Sequence, residues 1–142
     1  VILRLLPALL LLAACEDVTV EPAVDRITTP IAQPSFRSDI APILDVTCAS
    51  SGACHGGAAP ARGLDLSAGA AYGDLVDVPS QYAPQLMRVR PGLPDSSFAL
   101  LVLSDDPAVR LGYYRMPLTR YPMPAPVVQT IRNWIANGAP DN

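Results

Sequence analysis

Cys48-Ala49-Ser50-Ser51-Gly52-Ala53-Cys54-His55-Gly56-Gly57 decides how this chain is read. Two cysteines precede the only histidine of the sequence, and the second is bonded directly to it. A Cys-His pair closing a short cysteine loop is the pattern of covalent haem attachment. Two thiols add to two vinyl groups, and the imidazole after them is held against the iron. The loop here carries five residues between its cysteines, where two are usual. Cys54 therefore keeps its register with His55, and Cys48 does not. The spacing leaves open attachment through both thiols or through Cys54 alone.

The ends of the chain set the compartment. Arg4 precedes an apolar run from Leu5 to Ala14 that stops at Cys15. Such a run fits the core of a secretory signal and falls short of the ~20 apolar residues that span a bilayer. Residues 1–14 are therefore expected to be a signal peptide. Leu12-Ala13-Ala14-Cys15 looks like the lipobox of bacterial lipoproteins, which implies that Cys15 is lipidated. Plain cleavage after Ala14 is the alternative. With Cys15 so used, Cys48 and Cys54 remain as a pair outside the cytoplasm, where they can take haem or form a disulfide. Residues 15–35 mix acids with Pro22, Pro30 and Pro34 without an apolar period. They are expected to form a flexible, lipid-anchored tether ahead of a domain at 36–142.

The 142 residues fit one domain. Lysine is absent, and all ten cationic side chains are arginines. A net charge of -3 offers no basic patch to neutralise phosphates, so nucleic acid is not an expected partner.

Phe36, Ile40, Ile43 and Leu44 recur at helical spacing, which predicts a helix over 36–46 capped by Ser35 or Ser38. Pro42 fits it only within the first turn or so. Ser67 is expected to cap a helix over 68–76 with Tyr72, Leu75 and Val76 inward. Asp95 or Ser96 is expected to cap another that carries Phe98, Leu101 and Val102. Residues 77–94 and 104–124 read as irregular. The last element is the clearest: Val127, Val128, Ile131, Trp134 and Ile135 form an apolar stripe, and Arg132, Asn133 and Asn137 take the other face. Pro126 sits in its first turn and Gly138 stops it. The expected class is all-α, with three to five short helices and long Pro-rich loops. So few aromatic residues, eight in all, make a marginal core for a domain of roughly a hundred residues, and a buried porphyrin would add the missing apolar mass.

An ordered set of five motifs resembles a family of bacterial c-type cytochrome domains. The set comprises Phe36, Ile40, Pro42, Ile43 and Leu44 leading into Cys54-His55-Gly56, then Gly63-Leu64-Asp65-Leu66-Ser67. Pro91 to Ser97, Arg115-Met116-Pro117 and Trp134 to Ala139 complete it. The resemblance implies a small class I cytochrome c-like domain around one covalent haem c, with His/Met iron ligation. It assigns Cys48, Cys54, His55 and Met116 to the haem, and His55 and Met116 to the iron. With one histidine a bis-histidine haem is excluded, and methionine is the natural sixth ligand. Met116 lies mid-loop and matches the family's Arg-Met-Pro. Met123 is expected to pack on Val128 at the start of the last helix as a hydrophobic staple. Met87 is expected in the core. Arg88, Arg90 and Arg110 are candidates to meet haem propionates, with solvent exposure the default for most of them. Trp134, Tyr113 and Tyr114 are expected to be packing residues.

The resemblance implies a monohaem carrier of single electrons in the bacterial cell envelope, not an enzyme. Its expected partners are a redox protein and, through the N-terminal lipid, the membrane. Two alternatives stay beside it. One is a haem-free lipoprotein interaction module closed by a Cys48–Cys54 disulfide. The other is a haem sensor or peroxidase with a labile methionine ligand. Blue copper needs two histidines with its cysteine, and structural zinc needs four N/S ligands, so neither is available.

Overall fold

A computed structural model describes residues 23–119 and 121–142. The expected signal peptide, Cys15 and the first part of the expected tether lie outside the described residues. The rest forms five short α-helices: α1 (Ala23–Arg26), α2 (Ala41–Thr47), α3 (Ala71–Leu75), α4 (Phe98–Leu103) and α5 (Ala125–Ala136). The described residues contain no strand. Isolated bridges pair Val76 with Val89, and Met87 with both Pro79 and Ser97. The all-α expectation holds at this level.

The helix expected over 36–46 is present in two pieces. Residues Phe36–Ile40 form a π turn, in which Ser35 O accepts from both Asp39 N and Ile40 N. A proline six residues into a straight α-helix would lack a donor and strike the preceding turn. The π turn resets the register, so Pro42 falls in the first turn of α2, where the missing N–H costs little. Ser35 supplies the cap, accepting from Ser38 N. Helix α3 is shorter than expected. Ser67 does not cap it with its side chain, because its hydroxyl is turned to Asp65. On α4 the buried pair is Leu100 and Val102, not Leu101, and the helix comes after a 3-10 turn at Pro94–Ser96.

Helix α5 is the spine of the core. Val127, Ile131, Trp134 and Ile135 are buried, and Thr130 joins them. Gly138, at φ +95, ends the helix. Its N–H bonds Ile135 O while Ala139 N bonds Trp134 O, the paired closure of a Schellman motif. The Trp134 ring lies 5.3 Å from Phe36, and Phe36 meets the edge of Tyr72 at 5.1 Å. These rings, with Ile40, Ile43, Leu75 and Leu100, form one continuous cluster.

The described part of the expected tether, residues 23–35, is laid against the domain. Ile31 N donates to Thr130 Oγ1 at 3.0 Å. Asn133 and Asn137 donate their side-chain amides to Ile31 O and Ala32 O. Val24 and Ile27 pack on the core cluster. Composition suggested a solvated spacer, but the polar face of α5 supplies the hydrogen bonds that a short strap needs.

Met123 is buried in the core cluster and Val128 packs against that cluster, as the staple requires. Met87 is not in the core: it is 36% exposed. Extended backbone turns successive side chains to opposite sides, and here Arg88 takes the inside.

Candidate functional site

The cysteine loop begins where α2 ends, and main-chain bonds close it. His55 N donates to Cys48 O at 2.9 Å, and Ala61 N to Cys54 O at 2.8 Å. Leu66 N donates to His55 O at 2.7 Å. Gly56 is buried against this loop. A Cβ there would sit 2.5 Å from the Ala49 carbonyl oxygen, so the tight approach needs glycine. The excess length of the five-residue loop is accommodated outward: Ser50, Ser51, Gly52 and Ala53 are exposed.

Cys48, Cys54, His55 and Met116 all line one cavity of about 320 Å³. That size falls within the range of ligand pockets, about 300–1,000 Å³. Ala53, Ala61, Leu64, Phe98, Val102 and Pro117 make most of the remaining wall apolar. Arg62, Gln81 and Arg88 add a polar portion. Met123 and Met87 do not line it. The sequence-expected residues are thus brought together from the cysteine loop and the loop after α4.

The histidine is oriented by one bond. His55 Nδ1 lies 3.1 Å from the Ala61 carbonyl oxygen. A carbonyl can only accept, so Nδ1 carries the proton and the lone pair is left on Nε2. This is the arrangement a metal-binding imidazole needs: one nitrogen held by a main-chain carbonyl, the other free to ligate.

The two cysteines are free thiols, both half-buried. Burial pushes the Cys48 thiol up, a hydrogen bond with Thr47 partly offsets this, and the neighbouring Cys54 adds to the rise. Thr47 Oγ1 is 3.3 Å from Cys48 Sγ, and Ser51 Oγ donates to Cys54 Sγ at 3.2 Å.

Met116 is positioned from the other side. Its N–H donates to Val102 O at 2.7 Å, at the end of α4. Beside it, Arg115 pairs with Asp105 at 3.5 Å. Tyr113 packs edge-on against Phe98 and Tyr82, as expected of a packing residue. Tyr114 does not pack inside: it is 71% exposed on the cavity rim.

Of the three candidate arginines, Arg88 departs from the default of exposure and is buried. Sequence reasoning also missed the Ala61 carbonyl, because a main-chain acceptor leaves no compositional signal. Arg90 is exposed, and Arg110 is half-buried with Nη1 donating to Tyr113 O.

No family model, curated protein or solved structure matches this chain. Among the described residues no helix is long and apolar enough to cross a membrane.

Proposed function

We propose that this chain holds one covalent haem c and carries single electrons in the bacterial cell envelope. The observation that carries the proposal is the convergence of Cys48, Cys54, His55 and Met116 on one largely apolar cavity. Cys48, Cys54 and His55 come from one loop, and Met116 comes from a second stretch some sixty residues on. They comprise the two thiols, the one imidazole and one thioether that a c-type site requires. The donor set fits the group: His55 already has Nδ1 satisfied, which frees Nε2 for iron.

Haem, when bound, supplies one-electron iron chemistry. The protein's own residues do the rest. Cys54, and Cys48 where its reach allows, offer thiols for thioether bonds to the vinyl groups. In each addition the sulfur bonds one vinyl carbon and the thiol proton goes to the other. His55 Nε2 and Met116 Sδ would hold the iron, a combination that raises the reduction potential. Leu64, Phe98, Val102 and Pro117 would set nonpolar side chains against the group. Iron held by both residues would have no open position for a substrate, which favours electron transfer over catalysis. Short helices with long loops suit the class I cytochrome c-like architecture that the motif set resembles. A lipid on Cys15 would hold the domain at a membrane, where a redox protein is its partner.

The test is a pyridine haemochrome spectrum together with the mass of the protein, made in a host with haem-c maturation. One haem mass that survives denaturation is expected. A chain without added mass, closed by a Cys48–Cys54 disulfide, would overturn the proposal. Cys15→Ser should separate the anchor from the haem, releasing or leaving unprocessed a protein that otherwise sediments with membranes.

A further inference from the structure

Among the described residues, Arg88 is the only charged residue that is buried, at 6% exposure. Its guanidinium is not used up by a carboxylate. The nearest, Asp74 Oδ2, is 4.0 Å away. The short bonds go to main-chain carbonyls instead. Nη1 donates to Asp74 O at 2.7 Å, and Nη2 to Gly63 O at 3.0 Å and Arg62 O at 3.4 Å. The main chain of Arg88 is itself fixed, its N–H bonding Val78 O and its carbonyl accepting from Ala99 N.

The carbonyls it holds belong to an unusual turn. Arg62 has φ 57 and ψ 28, and Gly63 has φ 56. A non-glycine residue in the left-handed region costs energy and persists only where its surroundings over-determine it. One guanidinium nitrogen serving both carbonyls provides that determination.

The same turn carries the acceptor of His55. The Ala61 carbonyl, which receives Nδ1, and the Arg62 carbonyl, which receives Arg88, belong to adjacent rigid peptide planes. Only φ and ψ of Arg62 separate them. Holding the second plane in its left-handed setting therefore sets the direction of the first.

We propose that Arg88 is a positioning residue for His55: its guanidinium fork holds the Arg62–Gly63 turn so that the Ala61 carbonyl stays on Nδ1. The imidazole keeps its tautomer and its orientation through a relay of two peptide planes. Lysine cannot replace arginine here, because a single ammonium does not span the Asp74 and Gly63 carbonyls as a planar fork does. The consequence for an iron ligand rests on the haem reading, whereas the positioning itself does not.

The test reads the imidazole proton in the full purified chain, in its reduced form and with whatever prosthetic group it carries. Hydrogen exchange at His55 Nδ1 and its nitrogen-15 shift are tracked by NMR, with the α5 amides as internal reference. In Arg88→Ala, exchange at Nδ1 is expected to quicken at least tenfold while Ile131 and Trp134 amides keep their protection. Arg88→Lys, which retains the charge, is expected to quicken it severalfold, and it carries the test if the alanine variant does not fold. Unchanged exchange in Arg88→Lys, or protection lost equally along α5, would overturn the proposal. A purified chain without haem would sink the proposed function and leave this measurement able to decide the role of Arg88.

Discussion

The Met116 amide donates to the Val102 carbonyl at 2.7 Å, which fastens the methionine's main chain to the end of α4. Val102 and Met116 both line the cavity that His55 enters from the far end of the sequence. Helix α4 thus supplies part of the apolar wall and also the anchor for the candidate sixth ligand.

Met116 and Met123 should therefore respond differently to truncation. Met116→Ala should abolish the sulfur-to-ferric-iron charge-transfer band, lower the potential and admit carbon monoxide to the reduced haem. Met123→Ala should leave the band in place. Because Met123 is buried in the core cluster, its loss should cost about 2–5 kcal/mol in urea unfolding. A band lost in Met123→Ala and kept in Met116→Ala reverses the assignment.

The Cys48 thiol should be sluggish in a chain made without haem maturation. Burial raises the Cys48 thiol above its ordinary 9.0. Only the thiolate alkylates readily, so Cys48 should react slowly with iodoacetamide at pH 8. The folded state then holds a proton that the unfolded chain releases first. The stability this gives is fully present below pH 9.0 and is lost as pH rises through the folded-state value. Urea midpoints measured from pH 8 to 10.5 should fall in the parent and fall less in Cys48→Ala.

Gly56→Ala should disrupt the cysteine loop from within. The new methyl group would meet the Ala49 carbonyl oxygen at 2.5 Å, and backbone cannot swing aside as a flexible side chain can. A loss of about 1–3 kcal/mol is expected, with a lower yield of haem-loaded protein. Gly52→Ala, with nothing within 4 Å of its Cβ, is the control and should retain haem.

The strap along α5 should be measurable as stability. Thr130→Val removes the acceptor of Ile31 N and should cost about 1–2 kcal/mol. Asn133→Ala frees Ile31 O and should cost about 1 kcal/mol. Both contact residue 31, so the double variant should fall short of the sum. Simple additivity would argue that the strap is held elsewhere.

Helix α5 was legible because its apolar stripe, Pro126 and Gly138 all speak within one short window. The cysteine loop was legible for the same local reason. Helix α2 was readable in position, though not in its π turn, which is the chain's answer to Pro42. Long-range pairing was not readable. Met87 lies outside the core because bridges to Pro79 and Ser97 set its direction. Ile31 and Ala32 look like part of a solvated spacer until Thr130, Asn133 and Asn137 meet them. Arg88 was read by the usual fate of arginines, and only the turn at 62–63 explains its burial. The place of Met116 on the cavity came from the motif order, since its loop has no periodicity to read.

The two sides of the cavity are tethered unequally, and this has a thermal consequence. The histidine side is stitched by three main-chain bonds of 2.7 to 2.9 Å. The methionine side hangs from a loop whose Leu111, Tyr114 and Leu118 are 71%, 71% and 74% exposed. On warming, the methionine side should part first, while Cys54 and His55, on the proposed reading, would keep the haem from leaving. If the proposed haem is bound, the iron would be open to small gases for as long as that loop is away. Cooling would then restore the closed site without any need to recapture the group.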